Sequence, residues 1–330
     1  MHMRRCLRGG LMAGIALMLG ICGTATLGEE PALRATTAAG MVELAEGDRP
    51  ILRYRYETLE PEDEYLAQLA PQNRRYARPR SNYIHPLYGP DGQELTADLS
   101  PDHPHHRGIY WAWPEVGYDG RVADLHALQG VFARPTGQIE TRITDRFAEI
   151  VATNQWLWED RTPIVREVVT IRAYRATEHD RWIDLRLELT ALVDGVTIAR
   201  RDTTTYGGLN MRFAPLEDLK FVHHADPPDV PALPRMAWID TIGRCANSDE
   251  TVGVAIFEKA TNPDYPNDAI RYPELPWHQT TFPRSGTRYS LSVEKPLVLE
   301  YRLWIRGDAE VSEAAYRQQW RLFNEGEETR

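Results

Sequence analysis

The chain has 330 residues, with 48 acidic against 38 basic side chains and a formal net charge of −10. That balance disfavours nucleic acid and anionic membrane surfaces as partners, since both select basic patches. Of three cysteines, Cys6 and Cys22 fall in the leader, leaving Cys245 alone, so no internal disulfide staples the mature fold.

In chain order, Arg4 and Arg5 precede an apolar run from Leu11 to Ile21 and then small residues up to Gly28. This is the layout of a secretory signal peptide over residues 1–28, with export to the periplasm or beyond. Leu19-Gly20-Ile21-Cys22 is a loose lipobox, and Ile21 suits it poorly, so plain export is favoured over a lipid anchor on Cys22. No later stretch approaches the roughly 18 apolar residues of a spanning helix. Residues 29–330 read as one domain.

Met41–Leu44 and Ile51–Tyr56 read as short strands around a Gly47-Asp48 turn, and Pro61–Glu64 as an acidic loop. Val165–Ala173 is a further strand. From Arg181 to Ala191, Ile183, Leu185, Leu187 and Leu189 alternate with Trp182, Asp184, Arg186 and Glu188, a period of two that gives one apolar and one wet face. Asp194-Gly195 then turns the chain. Met236–Ile242 and Val252–Phe257 are two more strands, and Pro296–Arg306 repeats the alternation. Only the C-terminus has helical spacing, with Tyr316, Trp320 and Phe323 at i, i+4, i+7 and Asp308 as cap. Many short strands, Gly/Pro/Asp turns and one closing helix predict an all-β fold: a large two-sheet antiparallel β-sandwich with a C-terminal helix.

Four segments carry candidate chemistry. In Asp102-His103-Pro104-His105-His106-Arg107, three imidazoles fall within four residues. In an extended chain His103 and His105 point one way and His106 the other. One pair suits a shared metal with Asp102, or one histidine suits acid–base work with Arg107 steadying an anion. The strong zinc spacings are absent, so the metal and any cofactor stay undetermined. The plainer alternative is a polar loop whose imidazoles cap backbone groups. Glu167 shares a face with Val165, Val169 and Ile171, so burial would raise its pKa toward that of a general acid; an ion pair with an arginine is the structural alternative. Gly207-Gly208, between Tyr206 and Arg212, admits close approach of a ligand or another backbone, or marks a bulge. The Pro-rich stretch Asn262–His278 reads as an ordered lid, with Trp277 and His278 placed to stack on and bond a sugar ring. His223 and His224 read as surface residues, and Cys245 as a buried small hydrophobe.

The motif Asp102-His103-Pro104-His105-His106-Arg107-Gly108, preceded by Tyr83–Gly92, resembles the hallmark of bacterial exported proteins often labelled "methane oxygenase PmoA". The likeness continues through Arg166-Glu167, Tyr206–Leu209, Met211-Arg212, Asn262-Pro263, Trp277-His278 and Tyr301-Arg302, and covers most of the mature chain. It departs between Asn262 and Gly286, which weakens any role carried to that loop. Methane oxidation by a membrane-embedded subunit is not carried over, because spanning segments are lacking. The resemblance implies a sandwich like those of galactose-mutarotase-like proteins, although fold does not fix function. The expected function is therefore an exported carbohydrate-active protein, an epimerase, lyase or hydrolase acting on a glycan or small sugar. His105, His106 and Glu167 would move protons and Arg107 would orient the substrate. His103, Trp111, Trp113, Tyr206, Arg212, Trp277 and His278 would bind it. A non-catalytic carbohydrate-binding protein and a metal-dependent oxygenase are the alternatives. No obligate protein partner is expected.

Overall fold

A computed structural model describes residues 32–177, 179–225, 236–246, 250–272, 274–307 and 311–326. The proposed signal peptide with its lipobox and the cap at Asp308 lie outside the described residues. Two eight-stranded antiparallel sheets dominate. The first runs in space through Leu33–Ala38, Met41–Glu46, Arg49–Arg55, Tyr83–Leu87, Ile109–Ala112, Gly208–Arg212, Trp277–Thr281 and Ala269–Tyr272. The second runs through Val131–Ile143, Phe147–Trp158, Thr162–Tyr174, Asp180–Ala191, Leu297–Arg306, Thr251–Glu258, Ala237–Cys245 and Leu216–Ala225. This is the expected sandwich.

Alternation builds its core. Ile183, Leu185, Leu187 and Leu189 are all buried, as are Leu297, Leu299, Leu303 and Ile305 on the paired strand. They join Trp111, Leu209 and Met211 of the first sheet in one cluster. Each fully buried aliphatic side chain contributes about 1.5–3 kcal/mol. The other face of Leu297–Arg306 is also buried at Arg302, Trp304 and Arg306, contrary to a simple wet face. The helix Glu313–Asn324 explains this: Tyr316, Trp320 and Phe323 pack on Trp182, Trp238, Phe257 and Trp304 in a second cluster. Its cap is Ser312, whose hydroxyl accepts from the Ala315 N–H. Arg302 forks onto both Asp184 oxygens at 2.6 and 2.8 Å.

Glu167 sits between the sheets, 1 % exposed. Asn82 and Asn154 amides donate to one of its oxygens, and the Trp156 indole donates to the other at 2.7 Å. Tyr54 donates to Asn82 Oδ1. The expected burial is present, while these donors are not foreseen by either sequence alternative. The carboxyl is held by neutral N–H donors from both sheets, and arginine takes no part. Burial raises its pKa and those N–H groups offset part of the rise.

Two local features differ from expectation, and the paired glycines follow one of the expected alternatives, close approach of another backbone. The acidic loop continues into a short helix, Asp63–Gln68, followed by Pro71–Arg74. Neither buries a residue, so neither leaves an amphipathic pattern in the sequence. The paired glycines serve backbone packing: a Cβ on Gly208, at φ +137°, would lie 2.4 Å from the Thr280 carbonyl oxygen. The stretch after Asn262, expected as an ordered lid, holds a strand pair, Ala269–Tyr272 on Trp277–Thr281. Cys245 is buried, His223 is exposed, and His224 stacks on Trp238 at 4.2 Å. Among the described residues no helix is long and apolar enough to cross a membrane.

Candidate functional site: a histidine-lined cavity on the first sheet

Period-two alternation divides the first sheet's side chains between its faces. Trp111, Leu209, Met211 and His278 point inward to the sandwich core or the second sheet, while Tyr110, Asn210, Arg212, Trp277 and Gln279 occupy the opposite face. Over that outer face lies a cavity of about 660 Å³.

Its roof is the hairpin Asp98–Ser100 with His103–Arg107. Gly108, at φ +58°, joins it to the sheet, and a Cβ there would lie 2.1 Å from the Ile84 carbonyl oxygen, so only glycine fits. Arg107 is fully buried and pins the hairpin's base: it bonds both Asp98 oxygens and donates to Tyr83 Oη at 2.6 Å. It therefore does not reach the cavity.

The three hairpin imidazoles all line the hollow. His103 and His106 stack at 4.7 Å, His105 meets His106 edge-on at 4.6 Å, and His106 stacks on Trp277 at 5.6 Å. Strict alternation would separate His106 from the other two. Instead both faces of this short strand open on one hollow. The Nδ1 atoms of His105 and His106 are buried with no hydrogen-bond partner among the described residues.

A fourth imidazole, His126, is absent from the sequence reading. It belongs to a turn closed by reciprocal Asp124 and Gln129 backbone bonds of 2.7 and 2.8 Å. Arg80 pins that turn by donating to the Leu125 and His126 carbonyls at 3.0 and 2.6 Å. The ring of His126 lies 5.1 Å from His105, 5.7 Å from His106 and 5.1 Å from Tyr206.

A hydrogen-bond chain across the sheet leads to His126. Gln279 Oε1 accepts from the Gly207 N–H, so its amide nitrogen is the atom that donates to Asn210 Oδ1. The Asn210 amide nitrogen donates to the Gly208 carbonyl at 2.9 Å. Asn210 Oδ1 is thus an acceptor 3.3 Å from His126 Nε2, and the buried Tyr110 hydroxyl lies 3.1 Å from the same nitrogen, so Nε2 is placed to donate to Asn210 or to accept from Tyr110. Nδ1 has no protein partner among the described residues.

Burial first, then Arg80 and His103, pushes His105 down to about 3. Burial first, then neighbouring imidazoles and arginines, holds His106 and His126 well below the ordinary value. These rings are neutral at physiological pH. Two carboxylates share the hollow. Burial would raise Asp102, but bonds from His103 and Arg212 outweigh it and hold the group low. Burial dominates at Asp124 and raises it, despite Arg201 and the Ala127 N–H.

Of the residues expected from sequence, His103, His105, His106, Tyr206 and Trp277 line the cavity. Arg212 stands behind it on Asp102. Glu167, Arg107, Trp111, Trp113 and His278 do not line it. Trp113 is buried with its indole N–H on the Phe282 carbonyl, and His278 bonds Thr241 at 2.7 Å between the sheets. Tyr76, Asp124, His126, Arg201 and Tyr272 complete the wall. Tyr272 comes from the Pro-rich stretch and the others from segments with no motif, and only chain folding brings them together.

Among the described residues no group of three or more His, Cys, Asp or Glu side chains is arranged to hold a metal ion.

Fold and site together define an antiparallel β-sandwich protein with a histidine-lined cavity on the outer face of one sheet. The chain belongs to a family of unknown function (DUF6807), whose model matches residues 41–321. No curated protein matches it. Among solved structures it is similar to a galactose mutarotase related enzyme from Lactobacillus acidophilus. The identity is 10 %, the match covers 85 % of this chain and 99 % of that one, and the TM-score is 0.35.

Proposed function

We propose that this is an exported carbohydrate-active enzyme whose cavity holds one sugar unit and transfers a proton on it, with His126 Nδ1 as the base. The observation that carries this reading is a neutral imidazole held at Nε2 between Asn210 and Tyr110 and facing a polar hollow walled by Trp277, Tyr272, Tyr76 and Tyr206. Aromatic faces bind the apolar faces of sugar rings, and a cavity near 660 Å³ suits a single small ligand.

The base takes a proton from a carbon beside a carbonyl, or from an anomeric hydroxyl, and becomes imidazolium. The burial that keeps His126 neutral makes that imidazolium a strong acid, so it returns the proton readily. Reversible transfer of this kind suits epimerisation, ring opening or β-elimination better than net hydrolysis. His105 and His106 are close enough to serve the opposite side of the ligand. The role expected of Glu167 passes to Asp102 and Asp124, the carboxylates that line the hollow.

Ligand-observed NMR against a panel of neutral and acidic sugars in D2O tests this. A bound sugar should exchange one carbon-bound proton for deuterium, or show faster anomer exchange. His126→Gln should abolish that while leaving binding within a few-fold. Binding without any proton transfer would favour a non-catalytic carbohydrate-binding protein, and no sugar binding at all would overturn the proposal.

A further inference from the structure

The charge around the cavity differs in sign from that of the whole chain. Four arginines surround it: Arg75 and Arg201 on the wall, Arg80 beneath His105, and Arg212 behind Asp102. Two carboxylates face them, Asp102 paired with Arg212 and Asp124 paired with Arg201. With the buried imidazoles neutral, four positive and two negative charges leave a local balance of +2, in a chain of net −10.

The two unbalanced guanidiniums are identifiable. Arg75 is exposed at the mouth and donates only to the Tyr76 hydroxyl at 2.7 Å. Arg80 is 5 % exposed and spends its bonds on the Leu125 and His126 carbonyls while lying over the Tyr110 ring. Among the described residues neither has a carboxylate within ion-pair distance. A buried cation without a counter-ion is costly, and a bound anion relieves that cost. Arg212 adds unmet demand, since its Nε and Nη1 are buried without partners.

We infer that the cavity selects an anionic sugar, a uronate whose carboxylate meets the wall guanidiniums Arg75 and Arg201 while its ring lies against the exposed Tyr272. This rests on the sugar-site reading and narrows it. A guanidinium fork matches a planar carboxylate, and the field of Arg80 favours the anion from below.

The test is titration of the full chain with glucuronate, glucose and glucose 6-phosphate at low and high salt. Glucuronate should bind about tenfold tighter than glucose at low salt, the size of one charge-assisted hydrogen bond. Arg75→Gln should reduce that preference to about threefold or less, with glucose affinity unchanged. Equal binding of glucuronate and glucose overturns the charge inference and leaves the sugar site standing. A larger preference for glucose 6-phosphate overturns the uronate assignment. Binding of none of the three sinks the sugar reading itself. A preference untouched by both Arg75→Gln and Arg201→Gln places the anion elsewhere and overturns this geometry.

Discussion

His278 should make the protein acid-labile, and the size of the effect follows from its burial. The ring is fully buried between the sheets, bonded to Thr241 and flanked by Phe213 and Phe221. Burial pushes it down to about 3 from an ordinary value of 6.5. Its folded pKa is depressed, so the unfolded chain binds the proton first. The stability it contributes is whole above pH 6.5 and is lost as pH falls toward 3. Each unit in that window costs about 1.4 kcal/mol, hence about 2 kcal/mol by pH 5. His278→Gln cannot titrate and keeps an acceptor for Thr241. It should cost about 1 kcal/mol at pH 7 through lost ring packing. By pH 5 it should match or exceed the parent. Urea denaturation of both proteins at pH 7, 6 and 5 measures this. Parallel stability curves over that range would show that His278 is not buried neutral, and the reasoning would fail. The opposite sign holds at Glu258, raised to about 7 by burial: its contribution is whole below about 4.5 and is lost as pH rises through 7. Glu258→Gln should therefore gain on the parent as pH rises from 5 to 8.

Other outcomes follow from the same contacts. Glu167→Gln sets an NH2 against the Trp156 indole N–H and should cost about 1.5–3 kcal/mol; unchanged denaturation midpoints would rule out its structural role. Trp320→Ala should cost about 3–5 kcal/mol by removing the helix's central anchor and its bond to Tyr265, read as a lowered Tm with the sheets' circular dichroism retained. Asn210→Leu removes one of the two polar groups that hold His126 Nε2, leaving the Tyr110 hydroxyl. It should cut proton transfer about tenfold or more while His126→Gln abolishes it, and equal rates in parent and Asn210→Leu would break the link between that contact and function. Tyr272→Ala should weaken sugar binding by about tenfold, checked by the same NMR titration.

The division between chain and fold can be drawn residue by residue. Strands such as Asp180–Ala191 and Leu297–Arg306 were legible because side chains alternate with a period of two, and one buried face leaves that signature in local order. Tyr316, Trp320 and Phe323 announced their helix through the same locality. The hairpin histidines were visible as a cluster of rare residues, yet their convergence was not, since alternation alone sends His106 away. Residues whose partners lie far along the chain were misjudged or missed. Glu167 looked like a general acid because its buried position could be read from its neighbours, while its donors Asn82 and Asn154 could not. His126, Asp124, Arg201 and Tyr76 sit in short turns and loops without periodicity, and only long-range strand pairing gathers them over the outer face of the first sheet. Local pattern records which side chains are buried. What each buried polar group meets there is set by contacts between distant segments, and the cavity is made almost wholly of such contacts.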